Sequence, residues 1–130
     1  MVVDASALLE VLLRTPAAGA VERRLFAARG ETLHAPHLVD VEIAQVLRRY
    51  AAAGEIDSAR GSAALADLAD LPLRRYPHGL LLTRVWDLRH NFTAYDAVYV
   101  ALAEALDAPL ITRDRRLATA AARHVRAELV

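Results

Sequence analysis

The sequence contains no cysteine and no lysine, and these absences remove several classes of protein. Without cysteine there is no disulfide, no thiolate metal site and no cysteine nucleophile. Without lysine, the P-loop NTPases, Schiff-base enzymes and receiver domains that depend on this residue are excluded. All 16 cationic side chains are therefore arginines. A high-GC genome is the simpler explanation of this bias, although the arginine fork also suits phosphate.

Long apolar runs and net charge are also missing. No run approaches the length that spans a bilayer, and the first residues lack the charged and apolar regions of a signal peptide. We therefore expect no membrane association and a cytoplasmic location. The formal net charge is zero, so bulk charge does not point to nucleic acid. With 130 residues, 55% of them hydrophobic, the chain fits one domain (1–130) with a sizeable core.

Short apolar runs alternate with helical patterns along the chain. Strands are expected at Met1–Asp4, Thr32–Ala35, Leu73–Tyr76, Leu110–Thr112 and, less clearly, within His124–Leu129. Helices are expected at Ala7–Leu13 with Ser6 as cap, from Thr15 to about Ala28, and at Leu38–Ala53, Ser58–Leu71, Gly79–Arg89, Thr93–Leu106 and Asp114–Arg123. This alternation predicts an α/β fold with a central parallel sheet of four to five short strands flanked by helices.

The helix predicted over Thr93–Leu106 is apolar on nearly every side, which places it deep in the domain. It nevertheless carries an acid, Asp96, in its first turn. A carboxylate at the edge of a core must be capped, paired or bound to a metal. The role of Asp96 therefore bears directly on function.

Four acids are expected at one edge of the sheet, because ligands of open parallel sheets bind beyond the carboxyl ends of the strands. Asp4 ends the first strand, Asp114 follows a later strand, and Glu42 and Asp96 lie near the starts of helices. Each has a structural alternative: a capping box with Thr93 for Asp96, a helix dipole for Asp114 and a solvated flank for Glu42. Asp4 is the hardest to explain structurally.

A cluster of four carboxylates requires a cation, because like charges at short range drive one another to protonate. With oxygen ligands and no cysteine, that cation is Mg²⁺ or Mn²⁺, as one or two ions. Such ions can activate a water and stabilise the leaving oxygen of a phosphodiester. In the metal-free protein we expect a raised pKa for at least one of the four acids.

Polar residues beside the acids are candidates for supporting roles. The hydroxyls of Ser6 and Thr112 lie two residues from acids and can hydrogen-bond a carboxylate, although for Ser6 a helix cap is the preferred interpretation. Arg113, Arg115 and Arg116 flank the last acid, where they either hold RNA phosphates or form an ordinary solvated helix start.

Four segments, taken together, resemble PIN-domain ribonucleases, and most closely VapC-type toxins of bacterial toxin–antitoxin pairs. These are Val2–Ser6, Val41–Arg48, Thr93–Glu104 and Leu110–Leu117. The resemblance implies a three-layer fold and Mg²⁺- or Mn²⁺-dependent endonucleolytic cleavage of RNA. It also implies a homodimer that is held inactive by a cognate antitoxin.

The same resemblance assigns roles to individual residues. Asp4, Glu42, Asp96 and Asp114 match the family's acidic quartet, which is both catalytic and metal-binding. Ser6 and Thr112 match its supporting hydroxyls, and Asn91 matches a polar residue before the helix. One departure concerns the metals: some members carry a further acid after the fourth, where this chain has arginines and a leucine. That departure leaves one ion or two as open alternatives.

Two other functions remain to be weighed. A PIN-like domain could bind RNA or a protein without cleaving it, although four retained acids argue against this. A phosphatase with an aspartyl nucleophile typically needs D-x-D at the first strand and a lysine, whereas this strand ends Asp4-Ala5-Ser6 and lysine is absent.

Overall fold

The computed structural model describes residues 1–27 and 30–130, and its centre is a five-stranded parallel sheet of strand order β3-β2-β1-β4-β5. The strands are β1 Val2–Val3, β2 Leu33–Pro36, β3 Leu73–Tyr76, β4 Leu110–Thr112 and β5 Ala127–Leu129. The helices are α1 Ala5–Leu13, α2 Ala18–Phe26, α3 Leu38–Ala52, α4 Ser58–Asp70, α5 Leu82–Asp87, α6 Ala94–Ala105 and α7 Arg115–Ala121. The predicted α/β fold with a helix-flanked parallel sheet is confirmed.

The short β1 occupies the middle of the sheet and is completely buried. Both of its residues pair with β4, Val2 with Leu110 and Val3 with Ile111, while β2 and β3 lie on its other side. The strand order therefore reverses at β1, and such a switch point opens a crevice beyond the carboxyl ends of the strands. The register continues for one residue, because the amide of Asp4 donates to the carbonyl of Ile111 at 3.0 Å.

Helix α6 is buried over most of its length. Every residue from Ala97 to Ala103 is buried, on all sides of the helix, as the apolar pattern predicted. The helix packs across β1, β2 and β4, and the hydroxyl of its N-cap Thr93 accepts a hydrogen bond from the amide of Asp96 at 3.2 Å. This packing fixes the first turn of α6 at the carboxyl edge of the sheet.

Two predicted helix starts are wrong for identifiable local reasons. The N-cap of α1 is Asp4 rather than Ser6, because the carboxylate of Asp4 accepts from the Ser6 amide and starts the helix two residues early. The hydroxyl of Thr15 accepts from the amide of Ala17 in a turn, so α2 begins only at Ala18. The end predicted for α2, at Ala28, lies outside the described residues.

The helix predicted over Gly79–Arg89 is divided. A 3-10 turn at His78–Leu81 precedes the short α5.

In the part of the chain that the structure describes, no helix is long and apolar enough to cross a membrane.

Candidate active site

Asp4 stands at the carboxyl end of β1 and is only 7% exposed. Its Oδ1 accepts a hydrogen bond from the Ser6 amide at 2.6 Å, and its Oδ2 accepts from the Ser6 hydroxyl at 2.9 Å and from the Thr112 hydroxyl. Burial nevertheless raises the pKa of Asp4 above its ordinary value, and the nearby charge of Asp114 adds to this effect. The fold thus holds a carboxylate in place at an electrostatic cost.

The hydroxyls of Ser6 and Thr112 join the ends of β1 and β4. They lie 3.3 Å apart, Ser6 Oγ accepts from the Arg113 amide at 2.9 Å, and Thr112 Oγ1 accepts from the Asp114 amide at 2.9 Å. Each hydroxyl therefore hydrogen-bonds both Asp4 and the backbone that leads into Asp114. Together they set the relative positions of two acids 110 residues apart.

Asp114 follows β4 and is exposed. Its Oδ1 accepts from the amides of Arg116 at 2.7 Å and Leu117 at 3.1 Å, which makes it the N-cap of α7. The structural alternative for this acid is therefore real. It does not exclude a second role, because the residue also lines a cavity of about 280 Å³ that contains Asp96.

Asp96 is half-buried in the first turn of α6 and faces the same cavity, with Asn91, Thr93 and Arg116 on its walls. Burial is the main cause that raises its pKa, and the charges of Asp114 and Asp4 raise it further, whereas Arg116 opposes them. Capping of the helix and presentation of this carboxylate to the edge are thus compatible. The turn that Thr93 fixes is the one that carries Asp96.

Glu42 lies near the start of α3, the helix that follows β2. Burial raises its pKa to about 7, and the charges of Asp4 and Asp96 contribute in the same direction. The Tyr99 hydroxyl donates a hydrogen bond to Glu42 Oε2, which partly offsets these effects. Glu42 therefore titrates close to neutral pH in the metal-free protein.

Tyr99 was not predicted as a site residue. It is 2% exposed and follows Asp96 by three positions, so the two share one face of α6. That spacing was visible in the sequence, but an apolar helix gives no reason to separate one buried tyrosine from its packing neighbours. Only the approach of α3 identifies Glu42 as its hydrogen-bond acceptor.

Charge effects link Asp4 to Asp96, and link each of these two acids to both Glu42 and Asp114, so the four predicted acids are neighbours at the carboxyl edge of the sheet. The raised pKa expected for at least one of them holds for Asp4, Glu42 and Asp96. Within residues 1–27 and 30–130, no three acidic or histidine side chains are close enough to form a closed chelating set. The acids are neighbours, each fixed by its own hydrogen bonds, and their all-oxygen donor set suits a hard divalent cation.

The three predicted RNA-binding arginines divide into two groups. The guanidinium of Arg113 points away from the acids, since it pairs with Glu10 at 3.2 Å and donates to the carbonyl of Val130. Arg115 and Arg116 are exposed and line a cavity that adjoins the acidic one. Only the latter two are placed to meet a substrate at this edge.

A larger concavity, of about 700 Å³, lies at the far end of α6 between the turn 107–109 and residues 122–126. The carboxylate of Glu104, on the wall of this concavity, accepts two hydrogen bonds from Arg84, at 2.7 and 2.9 Å. These hydrogen bonds lower the pKa of Glu104. That carboxylate is committed to a structural ion pair. Chemistry is therefore assigned to the smaller cavity, where acids converge.

Known proteins resemble this chain over most of its length. The sequence profile of the PIN domain matches residues 1–123. A curated relative, VapC ribonuclease Mb0985 of Mycobacterium bovis, is 50% identical over 117 residues, which cover 90% of this chain and 87% of that protein. Ribonuclease VapC12 of Mycobacterium tuberculosis is 43% identical over 130 residues, covering 100% and 98% of the two chains.

The fold is likewise similar to that of a solved protein. In the crystal structure of VapBC2 from Rickettsia felis bound to a DNA fragment from their promoter, one chain superposes with a TM-score of 0.69. The match covers 98% of this chain and 96% of that one, at 12% sequence identity. At this identity the likeness concerns the fold alone.

Proposed function

Because the chain belongs to the PIN-domain family, we propose that it is a metal-dependent endoribonuclease, a toxin of the VapC type. Its relatives over nearly the whole chain carry the name VapC ribonuclease. The observation that carries the proposal is the meeting of Asp4, Glu42, Asp96 and Asp114 at the switch point of the sheet. An acidic site of this kind acts on phosphodiesters only with a cation, since carboxylates alone repel phosphate.

The four carboxylates would hold Mg²⁺ or Mn²⁺. When bound, such an ion supplies Lewis-acid activation of water and neutralises charge that develops on the phosphodiester. The raised pKa values of Asp4, Glu42 and Asp96 support a cation at this site, because its charge would relieve the repulsion that favours protonation. One ion or two is compatible with this set of donors.

The protein's own groups orient the reaction. Ser6 and Thr112 hold Asp4 in one rotamer, and Tyr99 does the same for Glu42. Arg116 lies on the wall of the acidic cavity and can neutralise a phosphate that enters it. The site therefore combines hydrogen-bonded carboxylates with a cationic side chain on the cavity wall.

The decisive experiment is cleavage of a mixed RNA pool by purified protein with Mn²⁺ or Mg²⁺, compared with Asp96→Asn. We expect activity to fall about 100-fold or more, because even partners of metal ligands commonly contribute 10–100-fold. Asp67→Asn, an exposed acid on α4, is the matched control and should retain activity. Undiminished cleavage by Asp96→Asn at wild-type thermal stability would refute the assignment.

A binding module that holds RNA or protein without cleavage is the second candidate. It is favoured by one observation: among the described residues the acids do not already form a closed chelating set. Calorimetric titration with Mn²⁺ distinguishes the two, since the enzyme requires binding that Asp96→Asn weakens. RNA binding without Mn²⁺ affinity or cleavage would support the module instead.

We also propose that the protein is cytoplasmic, forms a homodimer and is held inactive by a cognate antitoxin. Large exposed apolar side chains support protein contacts: Leu80 is 90% exposed, Trp86 67% and Tyr95 61%. Single exposed apolar residues are ordinary, but these three lie on the turn His78–Leu81, α5 and α6, which contact one another, and this supports an interface. Light scattering that gives a monomer at micromolar concentration would reject the homodimer. Cleavage that continues at full rate in the presence of the product of a neighbouring reading frame would reject that product as antitoxin.

A further inference from the structure

A second cavity, of about 520 Å³, adjoins the acidic one along α7. The two cavities share three wall residues, Asn91, Arg116 and Ala120. The remaining walls of the second cavity are Arg115, Thr119, Arg123 and His124. A polymer with one unit bound against Asp96 and Asp114 can therefore extend along the surface into the second cavity.

The second cavity has three arginines on its walls. Arg115, Arg116 and Arg123 are exposed, and within the described parts of the chain none of them forms an ion pair with an acid. By contrast, the side chains of Arg84 and Arg113 are occupied by Glu104 and Glu10. The three free guanidinium groups are thus a local excess of positive charge on a protein of zero net charge.

The guanidinium groups are spread along the second cavity as a track, and they are not gathered at one point. Arg115 and Thr119 lie four residues apart on α7, and Arg123 follows in the turn after the helix. All three side chains line the second cavity. At about 1.5 Å of rise per residue, Arg123 lies on the order of 10 Å beyond Arg116 along the helix. The acids are at the start of this line and Arg123 is at its far end.

We infer that this second cavity binds the ribose-phosphate backbone of the RNA on one side of the scissile bond, with Arg115 and Arg123 as phosphate ligands. The inference rests on the proposed nuclease function. Guanidinium forks bind phosphate oxygens in bidentate fashion and read no base sequence, so these residues supply affinity and register. A nucleic acid is favoured over an acidic peptide because the cavity continues from the site where a phosphodiester must lie.

The test is fluorescence anisotropy with a short labelled single-stranded RNA in EDTA, so that binding is measured without cleavage. For Arg123→Gln we expect about tenfold weaker binding, as for loss of one charge-assisted contact. The slope of log K against log salt should become shallower by about 0.7, as for one lost phosphate contact on a single strand. Arg115→Gln should behave alike, and Arg123→Lys should recover part of the affinity.

Arg74→Gln is the matched control. Arg74 is exposed on β3, at the opposite edge of the sheet, and its removal changes the net charge by the same amount. It should leave both affinity and salt slope near wild type. If Arg123→Gln and Arg74→Gln are equivalent, or if the wild-type protein shows no salt-dependent RNA binding, the inference is overturned. Displacement of the labelled RNA by a polyglutamate peptide at equal charge concentration would also overturn the inference, in favour of a protein ligand.

Steady-state cleavage with Mn²⁺ separates this inference from the proposed function. We expect Arg123→Gln to raise KM about tenfold with little change in kcat, because the residue binds substrate away from the reacting atoms. Cleavage by wild-type protein with an unchanged KM in Arg123→Gln would reject the phosphate track and leave the nuclease intact. RNA binding that depends on Arg123 in a protein that never cleaves would reject the nuclease and leave the track.

Discussion

The inner and outer halves of the acidic edge are built in different ways. Asp4 and Glu42, on the inner side, accept hydrogen bonds from the hydroxyls of Thr112 and Tyr99, both of which are buried. Asp96 and Asp114, on the outer side, face a solvent-open cavity and lie at the first turns of two helices. Asp4 belongs to the core that joins β1 and β4, and Glu42 is half-buried against Tyr99. Of the outer acids, Asp114 caps α7, whereas the Asp96 carboxylate accepts no hydrogen bond from the described residues.

This difference means that stability and activity should separate across the site. Loss of an inner acid leaves buried hydroxyls without acceptors, which is costly in a water-poor environment. Loss of Asp96 removes charge from a surface where like charges already repel, whereas loss of Asp114 also removes the N-cap of α7. The following predictions test this comparison, from the largest expected effect to the smallest.

The strongest contrast is between Asp4→Ala and Asp96→Ala. Both should abolish cleavage, but only Asp4→Ala should lower the free energy of unfolding, by about 2–3 kcal/mol, because it removes the N-cap of α1 and orphans the Thr112 hydroxyl. Asp96→Ala should stay within about 0.5 kcal/mol of wild type. Urea denaturation measures both. Asp4→Asn, which keeps the acceptor and loses the charge, should be inactive yet stable, and equal destabilisation by Asp4→Ala and Asp96→Ala would remove the distinction.

The pH dependence of the free energy of unfolding should also report on the inner half of the site, through Glu42. Since the pKa of Glu42 rises from 4.5 to about 7 on folding, the native state holds a proton that the unfolded chain has released between these values. The free energy of unfolding should therefore be highest in the acidic part of this window and fall as pH rises to about 7. After allowance for solvent screening the loss is about 1–2 kcal/mol.

Glu42→Gln is the reference for that measurement, because it removes the titration and keeps an acceptor for Tyr99. Denaturation curves in EDTA across the window should differ between the two proteins, and Mn²⁺ should raise wild-type stability most at the alkaline end, where the carboxylates are ionised. Parallel pH profiles for wild type and Glu42→Gln would show that Glu42 titrates normally.

The smallest effect is expected for Tyr99→Phe. The ring remains in the core while Glu42 loses its hydrogen-bond donor, so Mn²⁺ affinity and kcat/KM should each fall about tenfold. The pKa of Glu42 should rise further, because the Tyr99 hydroxyl lowers it, and the acidic limb of the pH–rate profile should move upward. Tyr95→Phe, one turn earlier on α6 and 61% exposed, is the control. An unchanged acidic limb in Tyr99→Phe would assign Tyr99 to packing only.

Local sequence signals were sufficient for most elements of the fold. The strands at Leu73–Tyr76 and Leu110–Thr112 have the predicted bounds, and α4 begins at Ser58 as predicted, because each depends on turn residues and apolar runs within a few positions. The misplaced starts of α1 and α2 involve Asp4 and Thr15, whose side chains take part in turns of their own. Short polar side chains compete with the backbone in ways that spacing alone does not resolve.

What the sequence determined by itself is the fold class, and it also predicted which four acids would approach one another. Alternation of apolar strands and helices requires a parallel sheet, and acids at the ends of its strands have one edge at which to meet. It also determined that α6 is buried, since an apolar helix has no face to give to water.

Only the tertiary structure decided how those acids are held. The pairing of β1 with β4 brings Thr112 beside Asp4, the approach of α3 to α6 joins Glu42 to Tyr99, and the turn after β4 directs Arg113 away from the site. These contacts link residues that are 17 to 108 positions apart in sequence. No local pattern encodes them, because their formation depends on the order of strands in the sheet and the packing of helices across it.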